Sequence, residues 1–392
     1  TRLNKSTIEI LLLQIYPDQK IQVYFTILIF LNTMEAGLID GRKLFMDSSL
    51  VDADASNDSV LDTKSLKDQL HRNYKKLEAR LEERDESVDS SRRYEKKNSR
   101  YISSTDPDAA IVNRGKPKLS YQVHRAVDGQ SEIITATEAT AGDVNEAHMM
   151  LSLIDKHHAA TGVRAKTVVA DSKYGTIENF LACYDRGIQA HIPDLREAAV
   201  KRTKKRDIFT EDRFIYDQQS DTYTCPAGNI LKKKSLHANR DSVDYGAPKK
   251  VCLACGLRGQ CTRNKSGRTV KRHLRQSELD YMRKESRSYA SKQDIRSRQH
   301  LMERSFARGT RYGFDQARWR GLWRMRIQEY LTCAIQNIQI LIKYLITPNK
   351  SIAARVLAVK AVFTEALSPF IVAISGTSCG QSRDYELLPL RI

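Results

Sequence analysis

The chain has 392 residues, enough for two or three domains or for one core with a large insertion. Its 65 Lys and Arg against 47 Asp and Glu give a formal net charge of +18. That excess favours a polyanionic partner, nucleic acid first, and neither a basic amphipathic helix nor a lipidation signal supports a membrane-surface protein instead. The most apolar N-terminal stretch, Ile21 to Leu31, spans 11 residues, too few to cross a bilayer, and no secretory signal is seen. Seven cysteines, odd in number and clustered, suit a reducing compartment such as the cytoplasm.

In chain order, residues 1–40 are apolar and read as the end of a helical region whose beginning is missing. Residues 41–195 then read as the first part of an α/β core. "KLFM" is strand-like and runs into Asp47, while a charged stretch over 57–115 reads as an insertion or flexible arm holding a solvated helix. "KLSYQVHRAVDGQSEIITATEATAGD" alternates on both sides of Asp128-Gly129 and predicts a hairpin. Asp143 and Glu146 resemble a capping box opening a helix over Val144 to His158. "KTVVADSKYGTIENFLACYDRGIQAHIP" then reads strand, helix, strand: Thr167 to Ala170, Ile177 to Arg186 closed by Gly187, and Ile188 to Ile192. Such a unit makes a parallel pair, and Asp171 falls at the carboxyl end of its first strand, where open α/β sheets place ligand groups. An aspartate that merely caps the following turn is the competing reading.

Residues 196–277 are basic, contain cysteine and read as too polar for a core of their own. Helical periodicity resumes over 278–346, first with Ile295, Met302 and Phe306 on one face and Glu303 as the sole acid between Ile295 and Gly309. A last helix is expected from about Asp315 to Leu345, with Trp319, Trp323, Ile327, Leu331, Ile335, Ile338 and Leu341 as a core stripe. The tail over 347–392 carries no interpretable motif.

Three acids, Asp47, Asp171 and Glu303, thus sit on separate elements. The blocks "FMDSSLVDADAS", "VVADSKYGT" and "RQHLMERSFARGTRYGFDQARWRGLWRM", with the hairpin between them, resemble the catalytic blocks of bacterial insertion-sequence transposases of the DDE type over about residues 35–345. The resemblance implies an RNase H-like mixed sheet with flanking helices, interrupted by the basic cysteine-containing insertion. It further implies metal-dependent strand cleavage and transfer on double-stranded DNA, with Asp47, Asp171 and Glu303 holding Mg2+ or Mn2+, by a homodimer near the bacterial nucleoid. Hard divalent cations prefer such oxygen ligands, and two of them stabilise both the attacking and the leaving oxygen of a phosphodiester. Asp128 is explained by its turn. An RNase H-like nuclease without strand transfer, and a non-catalytic DNA-binding product of a decayed element, are the alternatives. Where many relatives carry Tyr, Arg and Lys around the glutamate, this chain has Arg296, Gln299 and Thr310, with Arg298 and Arg311 one residue away as substitutes or as solvated helix charges.

Within the insertion, Cys225 and the "VCLACGLRGQC" cysteines Cys252, Cys255 and Cys261 could enclose one structural Zn2+. Free thiols are the alternative. Two flanking basic runs offer phosphate contacts through Lys201, Arg202, Lys204, Lys205, Arg263, Lys265, Arg268, Lys271 and Arg272.

Overall fold

The computed structural model describes residues 37–62, 101–195 and 208–345. The remaining segments, which include the N-terminal region, the solvated helix expected over 65–88, Lys201, Arg202, Lys204, Lys205 and the tail, lie outside the described residues.

The main sheet is built from β1 (Lys43–Asp52), then, beyond the small ladder of β2 (Val60–Asp62) with β3 (Tyr101–Ser103), from β4 (Ala110–Arg114), β5 (Lys116–Asp128), β6 (Ile134–Ala141), β7 (Thr167–Val169) and β8 (Gln189–His191). Its order is β4-β5-β1-β7-β8, with β6 also on β5. The antiparallel β1–β5 ladder runs from Leu44↔Asp128 to Asp52↔Ser120, whereas β1–β7 and β7–β8 are parallel. Since β5 pairs with β1 and β6 over the same residues, those two strands occupy opposite edges of it, and β4 extends the β6 edge. The ends of the charged insertion are therefore structured: β2 and β3 pair, and β4 joins the core sheet.

Helices cover both faces, as strand alternation requires. Leu44 and Met46 of β1 pack with Met150 and Leu153 of α1 (Met149–Thr161), Phe180 of α2 (Ile177–Asp185) and, after the insertion, Leu279 of α5 (Gln276–Ser286). Phe45 turns to the other face and packs with Leu301 and Met302 of α6 (Tyr289–Thr310) and Cys333 of α7 (Leu322–Leu345). The insertion between β8 and α5 contains a five-stranded antiparallel sheet of β9 (Ile215–Asp217), β10 (Thr222–Thr224), β11 (Ile230–His237), β12 (Ser242–Gly246) and β13 (Thr269–His273), together with the short helices α3 (Lys249–Leu253) and α4 (Arg258–Cys261). The sequence reads as too polar for a core here, yet Phe214, Tyr223, Leu231, Val243, Tyr245 and Val270 form one.

Several elements depart from the sequence reading. The helix does not open at Asp143: Asn145 caps a 3-10 turn at Glu146–His148, and α1 follows only at Met149. The expected tight hairpin is a wider loop, in which the Asp128 carboxylate accepts from the amides of Gly41 (2.7 Å), Gln130 (2.9 Å) and Ser131 (3.3 Å). Gly129 is required there, since a Cβ would stand 2.9 Å from the Phe45 ring. The last helix begins at Leu322 because residues 315–317 instead bond to the end of β1, with Asp52 N–H donating to Asp315 O and Ala317 N–H to Asp52 O. Gly321 at φ +96° then turns the chain.

The apolar stripe proposed for that helix is its buried face only in part: Leu341 is buried with Leu38 and Ile133, and Ile327, Leu331 and Ile338 are half-buried. Trp319 and Trp323 are 48% and 47% exposed and Ile335 is exposed, whereas Gln328, Glu329, Thr332, Gln336 and Asn337 are buried. These polar side chains face polar partners: Asn337 bonds both the amide and the carbonyl of Ile134 at 2.9 Å.

Candidate metal centre and basic surfaces

The register of the parallel ladder brings two acids level. Its last pair is Phe45↔Val169, and Asp47 and Asp171 each lie two residues further on, on the face that Phe45 and Val169 share beneath α6. Asp47 lies within β1 rather than at its end, because the antiparallel partner β5 carries the strand on to Asp52 after the parallel partner has left. The β1–β7 ladder ends at Phe45↔Val169, so both acids lie just past its last pair.

Glu146 joins them from the 3-10 turn before α1. Carboxylate oxygens of Asp47, Glu146 and Asp171 all lie within 4.8 Å of one another, the one such acid, cysteine or histidine group among the described residues. The donor set is all oxygen and the three groups converge from separate elements, which fits a hard divalent cation. Glu146 was missed in the sequence because its spacing from Asp143 read as a helix cap; the signal that marks it is a buried carboxylate on a strand-to-helix turn.

Each acid has a second attachment. Asp47 accepts from Ser48 N–H through Oδ1 at 2.9 Å and from Arg298 Nη1 through Oδ2 at 2.6 Å. Burial raises its pKa, the Arg298 and Ser48 contacts oppose that, and the charge of Asp171 adds to it. Asp171 caps the turn Ser172–Tyr174, accepting from Lys173 N–H at 2.9 Å, so the capping reading and the cluster reading both hold for it. Glu146 is also buried, which raises its pKa, but hydrogen bonds from Lys173 and Ser48 and the Lys173 charge outweigh burial and leave it lowered. Beneath the group lies the fully buried Tyr174, whose phenol is held well above its ordinary pKa by burial and then by the charges of Glu146, Asp47 and Asp171.

Glu303 does not join the three. It is exposed on α6 and accepts from Gln299 Nε2 at 3.1 Å. Its helix nonetheless lies over the site. Arg298 reaches Asp47, while Arg304 and Arg308 grip Glu132 in the loop at the other end of β1. At 3.6 residues per turn Glu303 is about 140° around the helix from Arg298, and on the flank turned away from Arg308. Of the two basic substitutes considered for this helix, Arg298 is the one attached to the site; Arg311 is exposed beyond the helix end.

The cysteines Cys225, Cys252, Cys255 and Cys261 line one cavity of the second sheet, and none of them is in a disulfide. Among the basic residues described, Arg263, Lys265 and Lys271 are exposed. Arg272 instead lies 3.7 Å from the Tyr216 ring centre and Arg268 5.5 Å from that of Phe214, both stacked on the sheet. An exposed run the sequence reading passed over, Lys232, Lys233 and Lys234 of β11, adds to this surface.

Residues 224–342 match the sequence model of a family described as "Transposase DDE domain". The matched stretch is less than a third of the chain; it contains Glu303 and the four clustered cysteines but neither Asp47 nor Asp171. Over it the chain is similar to DDE-type transposases, the family its motifs resemble. No curated protein and no solved structure matches the chain. Among the described residues no helix is long and apolar enough to cross a membrane.

Proposed function

We propose that this protein is a DNA transposase, with an RNase H-like core, that cuts and joins strands at the ends of its own insertion sequence. The observation that carries the reading is the level placement of Asp47 and Asp171, with Glu146, on adjoining elements of a sheet in which β1 lies between its antiparallel partner β5 and its parallel partner β7, with β6 beyond β5 and β8 beyond β7. The family match over the helix bearing Glu303 supports it independently.

In this reading Asp47 and Asp171 hold the divalent ions, magnesium or manganese, Glu146 supports them, and Glu303 completes the set from α6 when DNA is bound. The ions would supply charge stabilisation at the attacking and leaving oxygens. Before an ion arrives, Arg298 balances the charge of Asp47, and Lys173 that of Glu146. Water is the first nucleophile, cutting the strand; the freed 3′ hydroxyl is the second, attacking target DNA. Exposed Arg263, Lys265, Lys271 and Lys232 to Lys234, with Lys201, Arg202, Lys204 and Lys205, contact phosphates and give affinity that falls with salt. A homodimer in the bacterial cytoplasm, at the nucleoid, would bring two ends together.

The test is magnesium-dependent nicking of DNA carrying the flanking inverted repeats, with a target duplex present. Joined products are expected from the wild-type chain; nicks without joining would reduce the reading to a nuclease. Asp171→Ala should lose cleavage and keep DNA binding, and unchanged cleavage would remove the assignment.

A further inference from the structure

The second sheet places Cys225, Cys252, Cys255 and Cys261 around one cavity that also contains Arg258 and Arg268. Each thiol arrives on a local device. Cys225 opens a turn after β10, where Gly228 N–H donates to Cys225 O at 2.8 Å and Cys225 N–H to Asn229 O at 3.0 Å, with Gly228 at φ +77°. Cys252 is carried by α3, Cys255 by the turn that follows, where Arg258 N–H donates to its carbonyl at 3.1 Å, and Cys261 ends α4. Gly267, at φ +98°, lets the chain pass over Cys252, since a Cβ there would stand 2.8 Å from its sulfur.

We infer that these four thiolates bind one structural zinc ion, which fastens the α3–α4 segment to the five-stranded sheet. Four cysteines, one pair spaced Cys-x-x-Cys, are the donor set of closed tetrahedral zinc sites. Charge agrees with this: four thiolates around a divalent ion leave two net negative charges, and the guanidiniums of Arg258 and Arg268 line the same cavity to offset them. Arg268 Nε is buried without a hydrogen-bond partner, as suits a donor facing a thiolate. The need is structural as well. The sheet's core is six buried side chains and the helices over the cavity have five and four residues, too little apolar burial to fix that segment alone. The four sulfurs stand wider apart than the acids of the other site, so zinc, at about 2.3 Å from each, draws the short helices inward.

The proposal is independent of the transposase reading, and its test reads metal rather than DNA cleavage. The whole chain, purified reduced and without chelator, then given zinc chloride and freed of excess, should carry about one zinc per chain by elemental analysis. Less than about half an equivalent would overturn the inference. Cys252→Ser with Cys255→Ser should lose the zinc, whereas Asp171→Ala should keep it; the reverse pattern would move the ion to the acidic site and sink the proposal. Should the serine variant not fold, an organomercurial thiol reagent added to the wild-type chain should release zinc in step with the thiols modified, and cobalt in its place should show thiolate charge-transfer absorption. Zinc unmoved by thiol modification would likewise overturn it.

Discussion

Arg298 on α6 reaches across the sheet to Asp47 on β1, Nη1 to Oδ2 at 2.6 Å, with both side chains largely shielded from water. The pair neutralises an acid that burial would otherwise leave with an unbalanced charge, and it ties the helix bearing Glu303 to the strand bearing the first aspartate. A divalent ion at Asp47 must share or displace that guanidinium. Arg298→Gln removes one positive charge from the site, so Mn2+ should bind the DNA-free protein about tenfold more tightly, on the scale of 1.4 kcal/mol for one lost charge contact. Calorimetric titration measures it. Weaker binding would show that Arg298 assembles the site rather than competes in it.

Glu146 and Glu303 have separable roles. Glu146 lies within 4.8 Å of both aspartates and is held ionised by Lys173, so Glu146→Gln should raise the Mg2+ concentration needed for half-maximal nicking while leaving the rate at saturating Mg2+ within about threefold of wild type. Glu303→Gln, by contrast, should lower the saturated rate by two orders of magnitude or more, about 3 kcal/mol or more of transition-state stabilisation, without changing Mn2+ binding to the free protein. Equal effects of the two variants would mean that they act as one set.

How far this site was legible follows from what each residue's neighbours in sequence reveal. Asp171 ends a short β-branched run before a glycine-punctuated turn, and Asp47 follows "KLFM"; both sit where local pattern marks a strand. Glu146 is paired through space with Lys173 and Ser48, and nothing beside it in the sequence distinguishes it from a helix cap. The same difference explains α7. Its periodicity invites a buried Ile and Leu stripe, but the face it turns to the sheet meets Arg125, Thr137 and the backbone of Ile134, and tertiary polar partners override hydropathy. The insertion misled in the opposite direction, because its six core side chains are dispersed over 57 residues, from Phe214 to Val270, among lysines and turns.

Arg125 is the centre of that polar interior. It is fully buried, bonds Glu329 through Nε at 2.7 Å and Nη2 at 2.9 Å and Ser305 O through Nη1 at 3.1 Å, and lies between the rings of Phe306 and Phe314. One side chain of β5 thus fastens both α6 and α7. Removing either partner alone strands a buried charge, so Arg125→Met should cost about 3 to 5 kcal/mol, and adding Glu329→Met should recover a large part of it. Urea denaturation of the two variants supplies the comparison. A double variant no better than the single would mean that the bonds to Ser305 and Thr137, not the charge pair, carry the interaction.

Two interior histidines give the fold an acid limit. His124 bonds Thr140 Oγ1 at 3.0 Å, and His157 bonds Thr135 Oγ1 at 2.9 Å and Gly41 O at 3.0 Å. Burial, the largest influence on both, lowers each pKa to about 4. A histidine lowered in the folded state below the unfolded value near 6.5 binds its proton more readily when unfolded, so its contribution is full above about pH 6.5 and is lost as pH falls towards 4, by roughly 3 kcal/mol for each at the end of that range. Stability by urea midpoint should therefore drop between about pH 6.5 and 4. His157→Gln should lower stability at neutral pH through its lost packing yet flatten that slope by about half of the histidine share. An unchanged slope in His157→Gln would show that this histidine is already neutral and equally shielded in the unfolded chain, or that carboxylates alone set the limit.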